Sequence, residues 1–130
     1  MSTKPIRLPS GHPKIFDTMK IEILRMENGE AELSMPFLEE YTQHYGMLHG
    51  GAIFTLADAA CGVAVASVAR EGKKFLTSGM NISYLEPISE GLTICRARVL
   101  RQGRIMPVES EVLNSGICVA KASAIYTLAD

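Results

Sequence analysis

The sequence predicts an α+β fold in which one antiparallel sheet wraps around a single long central helix. Three observations predict it. Gly50–Ala69 reads as a helix that is apolar on nearly every face, and such a helix needs cover on more than one side. The longer segments on either side of it alternate or run apolar as strands do. The chain has 130 residues, 47% of them hydrophobic, enough for one core and too few for two.

Residues 1–19 read as a loose arm over 1–11 followed by a short helix over His12–Met19; the folded domain is expected over 20–130. Lys20–Met26 and Glu30–Pro36 flank Glu27-Asn28-Gly29, and an Asn-Gly pair between two such runs is a strong hairpin signal. Ala31, Leu33 and Met35 alternate with Glu30, Glu32 and Ser34, so one face of the hairpin is buried. Phe37–Leu48 is a loop. The long helix ends at Arg70-Glu71-Gly72, with Gly72 as its left-handed cap. Four strands follow, Phe75–Leu85, Leu92–Leu100, Ile105–Leu113 and Ile117–Leu128. Pro107 predicts a bulge or an interruption in the third of them. One sheet covers only part of an all-apolar helix and leaves its own edges open. A second copy of the chain would solve both problems, so a homodimer is expected.

Thirteen Lys and Arg against 14 Asp and Glu leave a formal net charge of −1, which gives no general pull toward nucleic acid or an anionic membrane. The first residues carry no apolar signal core. Gly50–Ala69 approaches the length of a membrane span, but Asp58 near its centre would cost about 2.5–3.5 kcal/mol in lipid. Cys61, Cys95 and Cys118 are odd in number and widely spaced, which fits buried reduced thiols better than a disulfide framework or a zinc site. A reducing cytoplasm is the expected location.

Burying an ionised carboxylate among Ala, Val, Ile and Phe is costly unless something pairs with it or uses it. Asp58 is such a carboxylate, and the turn His49-Gly50-Gly51 offers bare backbone N–H groups at the start of the same helix. An acid in an apolar helix beside such a turn outlines an acyl-transfer site.

The segment Gly46-Met47-Leu48-His49-Gly50-Gly51 followed by Leu56-Ala57-Asp58 resembles the G-x-x-H-G-G-x(4)-L-A-D signature of hotdog-fold thioesterases, most nearly the PaaI-type acyl-CoA thioesterases. Met80-Asn81-Ile82-Ser83-Tyr84-Leu85-Glu86-Pro87 resembles their strand after the helix, and Val99-Leu100-Arg101-Gln102-Gly103-Arg104 the following turn. The resemblance covers about residues 20–128. It implies hydrolysis of an acyl-CoA thioester to a free acid and CoA, with CoA entering as part of the substrate and no metal or redox cofactor. It also implies a dimer with one continuous sheet, often paired into a tetramer, and two active sites each built by both subunits.

Within that reading Asp58 is the base or the nucleophile, and the Gly50 N–H at the helix start polarises the carbonyl. Gly51 lets the chain approach the ligand, and His49 holds the turn. The PaaI-type pattern commonly has an Asn six residues before the histidine; here the position is Gln43, whose amide survives with one more methylene of reach. Thr77 lies where related enzymes place a Ser or Thr that contacts the attacking water. By alternation Asn81 and Ser83 share its face and are candidates for the substrate groove. Arg101 and Arg104 bracket Gly103 in a turn suited to CoA phosphates. Tyr84 is a candidate for the acyl pocket, with Tyr45, Met47 and Phe54. The alternative is a non-catalytic acyl-CoA-binding protein of the same fold, which the Gln43 departure favours. A hydratase or dehydratase of that fold would carry a different motif.

Overall fold

The computed structural model describes residues 6–9 and 11–129. Most of the expected loose arm lies outside the described residues or is exposed, but Ile6 and Leu8 pack partly against the core. A short helix α1 (Lys14–Met19) buries Phe16 and Met19 and stops at Lys20 in the left-handed region.

Strands β1 (Glu22–Glu27) and β2 (Glu30–Met35) form the expected hairpin. Its turn places Asn28 (φ 50) and Gly29 (φ 80) both at positive φ, the conformation that makes Asn-Gly a hairpin signal. The turn also docks on the central helix. The Gly29 N–H donates to Ser67 Oγ at 2.8 Å, and Ser67 Oγ donates to the Ala64 carbonyl at 2.6 Å.

That helix, α2, spans Gly50–Ala66 and is capped by Ser67, three residues before the expected end. Ser67 stops it because its hydroxyl bonds back to the helix and ties the end to the hairpin. Gly72 is left-handed (φ 81), as expected, but it belongs to the connection after the helix rather than to the cap.

Strands β3 (Lys74–Tyr84), β4 (Thr93–Val99), β5 (Ile105–Asn114) and β6 (Ile117–Ala129) complete one six-stranded antiparallel sheet in the order β1-β2-β4-β5-β6-β3. Pro107 ends the pairing with β4, whose register stops at Val99 opposite Val108, and leaves the pairing with β6 intact. It stays in register opposite Ile125, and its carbonyl accepts from the Leu100 N–H at 2.8 Å on the side where β4 has already ended. The reciprocal bond, from residue 107 back to the Leu100 carbonyl, is the one a proline cannot make, so the β4–β5 ladder does not continue there. The sheet's irregularities lie elsewhere, one of them between Val112 and Leu113.

The sheet curls around α2. Leu56, Ala57, Ala60, Cys61, Val63 and Val65 are fully or almost fully buried, as are Leu33, Met35, Cys95, Val108 and Val112 of the strands. Each large apolar side chain withdrawn in this way contributes about 1.5–3 kcal/mol. Apart from Gly51, every residue of α2 is buried or half-buried within one chain. The large exposed apolar groups lie elsewhere, including Leu76, Tyr84 and Leu85 on and beside β3. Among the described residues no helix is long and apolar enough to cross a membrane.

Candidate active site

Asp58 lies midway along α2, where the helix faces the junction of β3 and β6. Thr77 and Tyr126 are register partners across those strands, so their side chains stand on the same face of the sheet. Both reach the carboxylate. Thr77 Oγ1 donates to Asp58 Oδ1 at 2.9 Å, and the Tyr126 hydroxyl donates to the same oxygen at 2.6 Å. The Tyr126 oxygen also lies 2.7 Å from the Asp58 backbone carbonyl. Tyr126 is only 5% exposed. Burial, then the bond to Asp58, pushes its phenol well above the usual tyrosine range, so it stays a protonated donor. Gly62, one turn beyond Asp58, clears room for it: a Cβ there would sit 3.3 Å from the hydroxyl oxygen.

Sequence reasoning missed Tyr126. Its signal was the inward row of β6, Ala120, Ala122 and Ala124, in which a large side chain with a polar tip follows three alanines.

Asn81 and Ser83 do not share Thr77's face. The β3–β6 register shifts between Thr77 and Gly79, leaving Ser78 as the extra residue of a bulge, with its hydroxyl hydrogen-bonded to that of Thr127. One extra residue reverses the alternation beyond it. Met80, Ile82 and Tyr84 therefore pair with inward Ala124, Ala122 and Ala120. Asn81 pairs with Ser123 on the outer face. There it borders a hollow of about 690 Å³ lined by charged residues such as Arg96, Glu109 and Lys121, on the far side of the sheet from Asp58.

At the start of α2, His49 holds the turn. Its Nδ1 accepts from the Gly51 N–H at 2.8 Å, and its carbonyl accepts from the N–H groups of Ala52 and Ile53 at 3.0 and 3.3 Å. An accepting Nδ1 places the ring proton on Nε2. A Cβ on Gly51 would lie 3.1 Å from that Nδ1, so the bare residue serves the cap. No hydrogen bond among the described residues uses the Gly50 N–H. The Gly50 carbonyl accepts from the Tyr84 hydroxyl at 2.8 Å. Gln43 Oε1 accepts from the Tyr45 N–H at 2.5 Å and from the Met47 N–H at 3.4 Å, so its oxygen holds the loop and its amide N–H₂ is the end left for a ligand. Gln43, Gly50, Ile53, Tyr84 and Leu85 line a cleft of about 320 Å³.

Gly50 and Asp58 are eight residues apart on one helix, a rise of about 12 Å. The two groups belong to two separate half-sites of the chain.

A second cleft, about 480 Å³, adjoins the acid half-site beyond the end of α2. Phe75, Met106 and Leu128 form its apolar part, and Arg70, Lys73 and Arg104 bring positive charge, with Gly103 alongside. Met106 is the register partner of Tyr126, and Phe75 is two residues before Thr77. Arg101 is exposed and is not on this lining. Cys61 and Cys95 are buried thiols of the core; burial pushes Cys61 up to about 12. Among the described residues no group of three or more His, Cys, Asp or Glu side chains is gathered as a metal site would need.

A sheet wrapped around one long helix, with a carboxylate of that helix held by two hydroxyls, has the form of a hotdog-fold hydrolase of thioesters. Comparison with known proteins agrees: the thioesterase superfamily model matches residues 45–114, and the chain belongs to that family. It is 32% identical over 99 residues to a provisionally named esterase of Saccharolobus solfataricus, covering 75% of this chain and 70% of that one. It is 34% identical over 92 residues to human acyl-coenzyme A thioesterase 13, covering 70% and 65%. A crystal structure of a phenylacetic acid degradation-related protein from Ralstonia eutropha superposes with a TM-score of 0.85 at 26% identity, over 89% of this chain and 90% of that one.

Proposed function

We propose that this thioester hydrolase acts on acyl-CoA, with Asp58 as general base and the active site completed by a second copy of the chain. Asp58 takes a proton from a water molecule as the water oxygen bonds to the thioester carbon. The carbonyl oxygen gains the electron pair and is stabilised by the Gly50 N–H. When the C–S bond breaks, the pair returns, the sulfur leaves and collects the proton, and the products are a free acid and CoA. Neither a metal nor a redox cofactor takes part. The observation that carries this reading is the Asp58 carboxylate, held by Thr77 and Tyr126 on the wall of an otherwise apolar helix.

The half-site separation supports the second copy: within one chain, Gly50 is too far along the helix to reach a carbonyl beside Asp58. Strand β3 supports it too. It is an 11-residue edge strand paired on one side only, and Leu76 on it is 63% exposed. Antiparallel self-pairing of β3 about a two-fold axis through Asn81 would set Met80 opposite the partner's Ile82. With the bulge absorbing one residue, Thr77 would face the partner's Tyr84. Each Asp58 would then lie beside the partner's Gly50. The cationic cleft next to the acid half-site suits the phosphates of the CoA arm.

The test of activity is a panel of acyl-CoA thioesters followed by free-thiol release, with Asp58→Asn as control. The test of pairing is Asn81→Cys. Residues directly opposite in an antiparallel pair have Cα atoms about 4.5–5.5 Å apart, within disulfide range. Oxidation is expected to give a covalent dimer absent from wild type; a chain that stays monomeric under oxidation would contradict this register.

A further inference from the structure

We infer that Tyr126 is a positioning residue for the hydrolysis: it pins one oxygen of Asp58 so that the other, Oδ2, is the oxygen presented to the reacting water. The inference rests on the reading of Asp58 as the base and assigns Tyr126 a part in it.

A carboxylate turns readily about its last side-chain bond, because the terminal torsion is broad. One hydrogen bond limits that motion, and two donors converging on the same oxygen from different strands fix it. Thr77 comes from β3 and Tyr126 from β6, and both donate to Oδ1. Among the described residues, Oδ2 receives no hydrogen bond. The two oxygens of Asp58 therefore have different duties, one anchored to the sheet and one available.

The two anchors are unequal. Thr77 is exposed within one chain and its short side chain has only the bulged strand β3 behind it. Tyr126 is wedged between the sheet and α2. Its single proton has two acceptors in range, Oδ1 and the Asp58 carbonyl. The charged oxygen is the stronger one. If Tyr126 served only to fill the core, the backbone carbonyl would satisfy its hydroxyl and a phenylalanine would pack as well. The placement of Gly62 argues that the hydroxyl itself is used and that a phenylalanine would not serve. A bare residue in mid-helix costs about 1 kcal/mol relative to alanine, and here it clears the space for the hydroxyl and little else.

Misplacement of a reacting group by about 1 Å can cost about a hundredfold in rate. Tyr126→Phe removes the pin and keeps the ring. It is expected to lower kcat by about ten- to a hundredfold with KM within about twofold of wild type. Gly62→Ala approaches the same bond from the helix by pushing on the hydroxyl; it is expected to lower kcat by a smaller factor, again with KM unchanged. The double variant should be no slower than Tyr126→Phe alone, because both changes break one interaction. In an Asp58→Asn background, Tyr126→Phe should cost nothing further. A folded Tyr126→Phe protein with kcat near wild type, or with its loss confined to KM, would overturn the role of Tyr126 while an inactive Asp58→Asn left the base in place. Full turnover by Asp58→Asn would overturn the underlying reading instead. Should Tyr126→Phe fail to fold, Gly62→Ala decides alone, and an unchanged kcat would count against the inference.

Discussion

Two points on α2 are each held by a tyrosine hydroxyl, and they are built to different standards. At the acid half-site Tyr126 is 5% exposed and shares Asp58 Oδ1 with Thr77. At the amide half-site Tyr84 is 50% exposed and makes one bond to the Gly50 carbonyl. The first is finished within a single chain. The second is an open cleft on the flank of an edge strand, with a backbone donor that no hydrogen bond among the described residues uses. The difference bears on the proposed shared site: one chain organises the carboxylate by itself, and in that proposal the amide donor comes from the partner's helix start.

The most damaging single change should fall on the finished side. Asp58→Asn keeps the size and the two hydroxyl contacts but removes the proton acceptor. Turnover measured by thiol release should fall by about 10²–10⁴-fold with little change in KM. A loss below tenfold would leave the acid half-site without a catalytic role.

On the open side the informative change is Gly50→Pro. Gly50 is the first residue of α2, where proline is favoured and only its N–H is lost; His49, at ψ 139, already has the conformation a following proline requires. Loss of one oxyanion donor costs about 10²–10³ in kcat. A Cβ here approaches the Tyr84 hydroxyl to 3.2 Å, so Gly50→Ala, which keeps the N–H, is the control for crowding. Proline should be much slower than alanine; equal losses would assign the effect to Tyr84 and not to the amide.

A smaller effect should come from the cationic cleft. Arg70→Gln with Lys73→Gln removes two charges from its rim. KM for acyl-CoA should rise a few-fold and lose much of its salt dependence, with kcat unchanged. An unaltered KM would remove the CoA arm from this cleft.

The features legible in the sequence are local. The Asn28-Gly29 hairpin, the helix from Gly50 and the lone Asp58 each depend on residues within a few positions of one another. The carboxylate's partners were half legible. Thr77 is reached through the family resemblance, as a contact of the attacking water rather than of Asp58, and Tyr126 lies 68 residues from Asp58; only the finished β3–β6 register brings the three together. Asn81 was assigned to the wrong face because alternation assumes an unbroken ladder. Gly79 inside an otherwise β-prone run was the available sign of a bulge. The sheet leaves one stripe of α2 half-buried, through Thr55, Asp58, Ala59 and Gly62, and leaves β3 as an open edge, the two features on which the expectation of a second copy rests.

The most direct test of a site shared between copies is complementation. Asp58→Asn chains and Gly50→Pro chains, each inactive alone, are unfolded together and refolded as an equal mixture. Random pairing gives half mixed dimers with one intact site of two, so activity should return to about a quarter of wild type. A mixture no more active than its parents, with mixed dimers demonstrated by mass, would show that Asp58 and Gly50 do not meet across an interface.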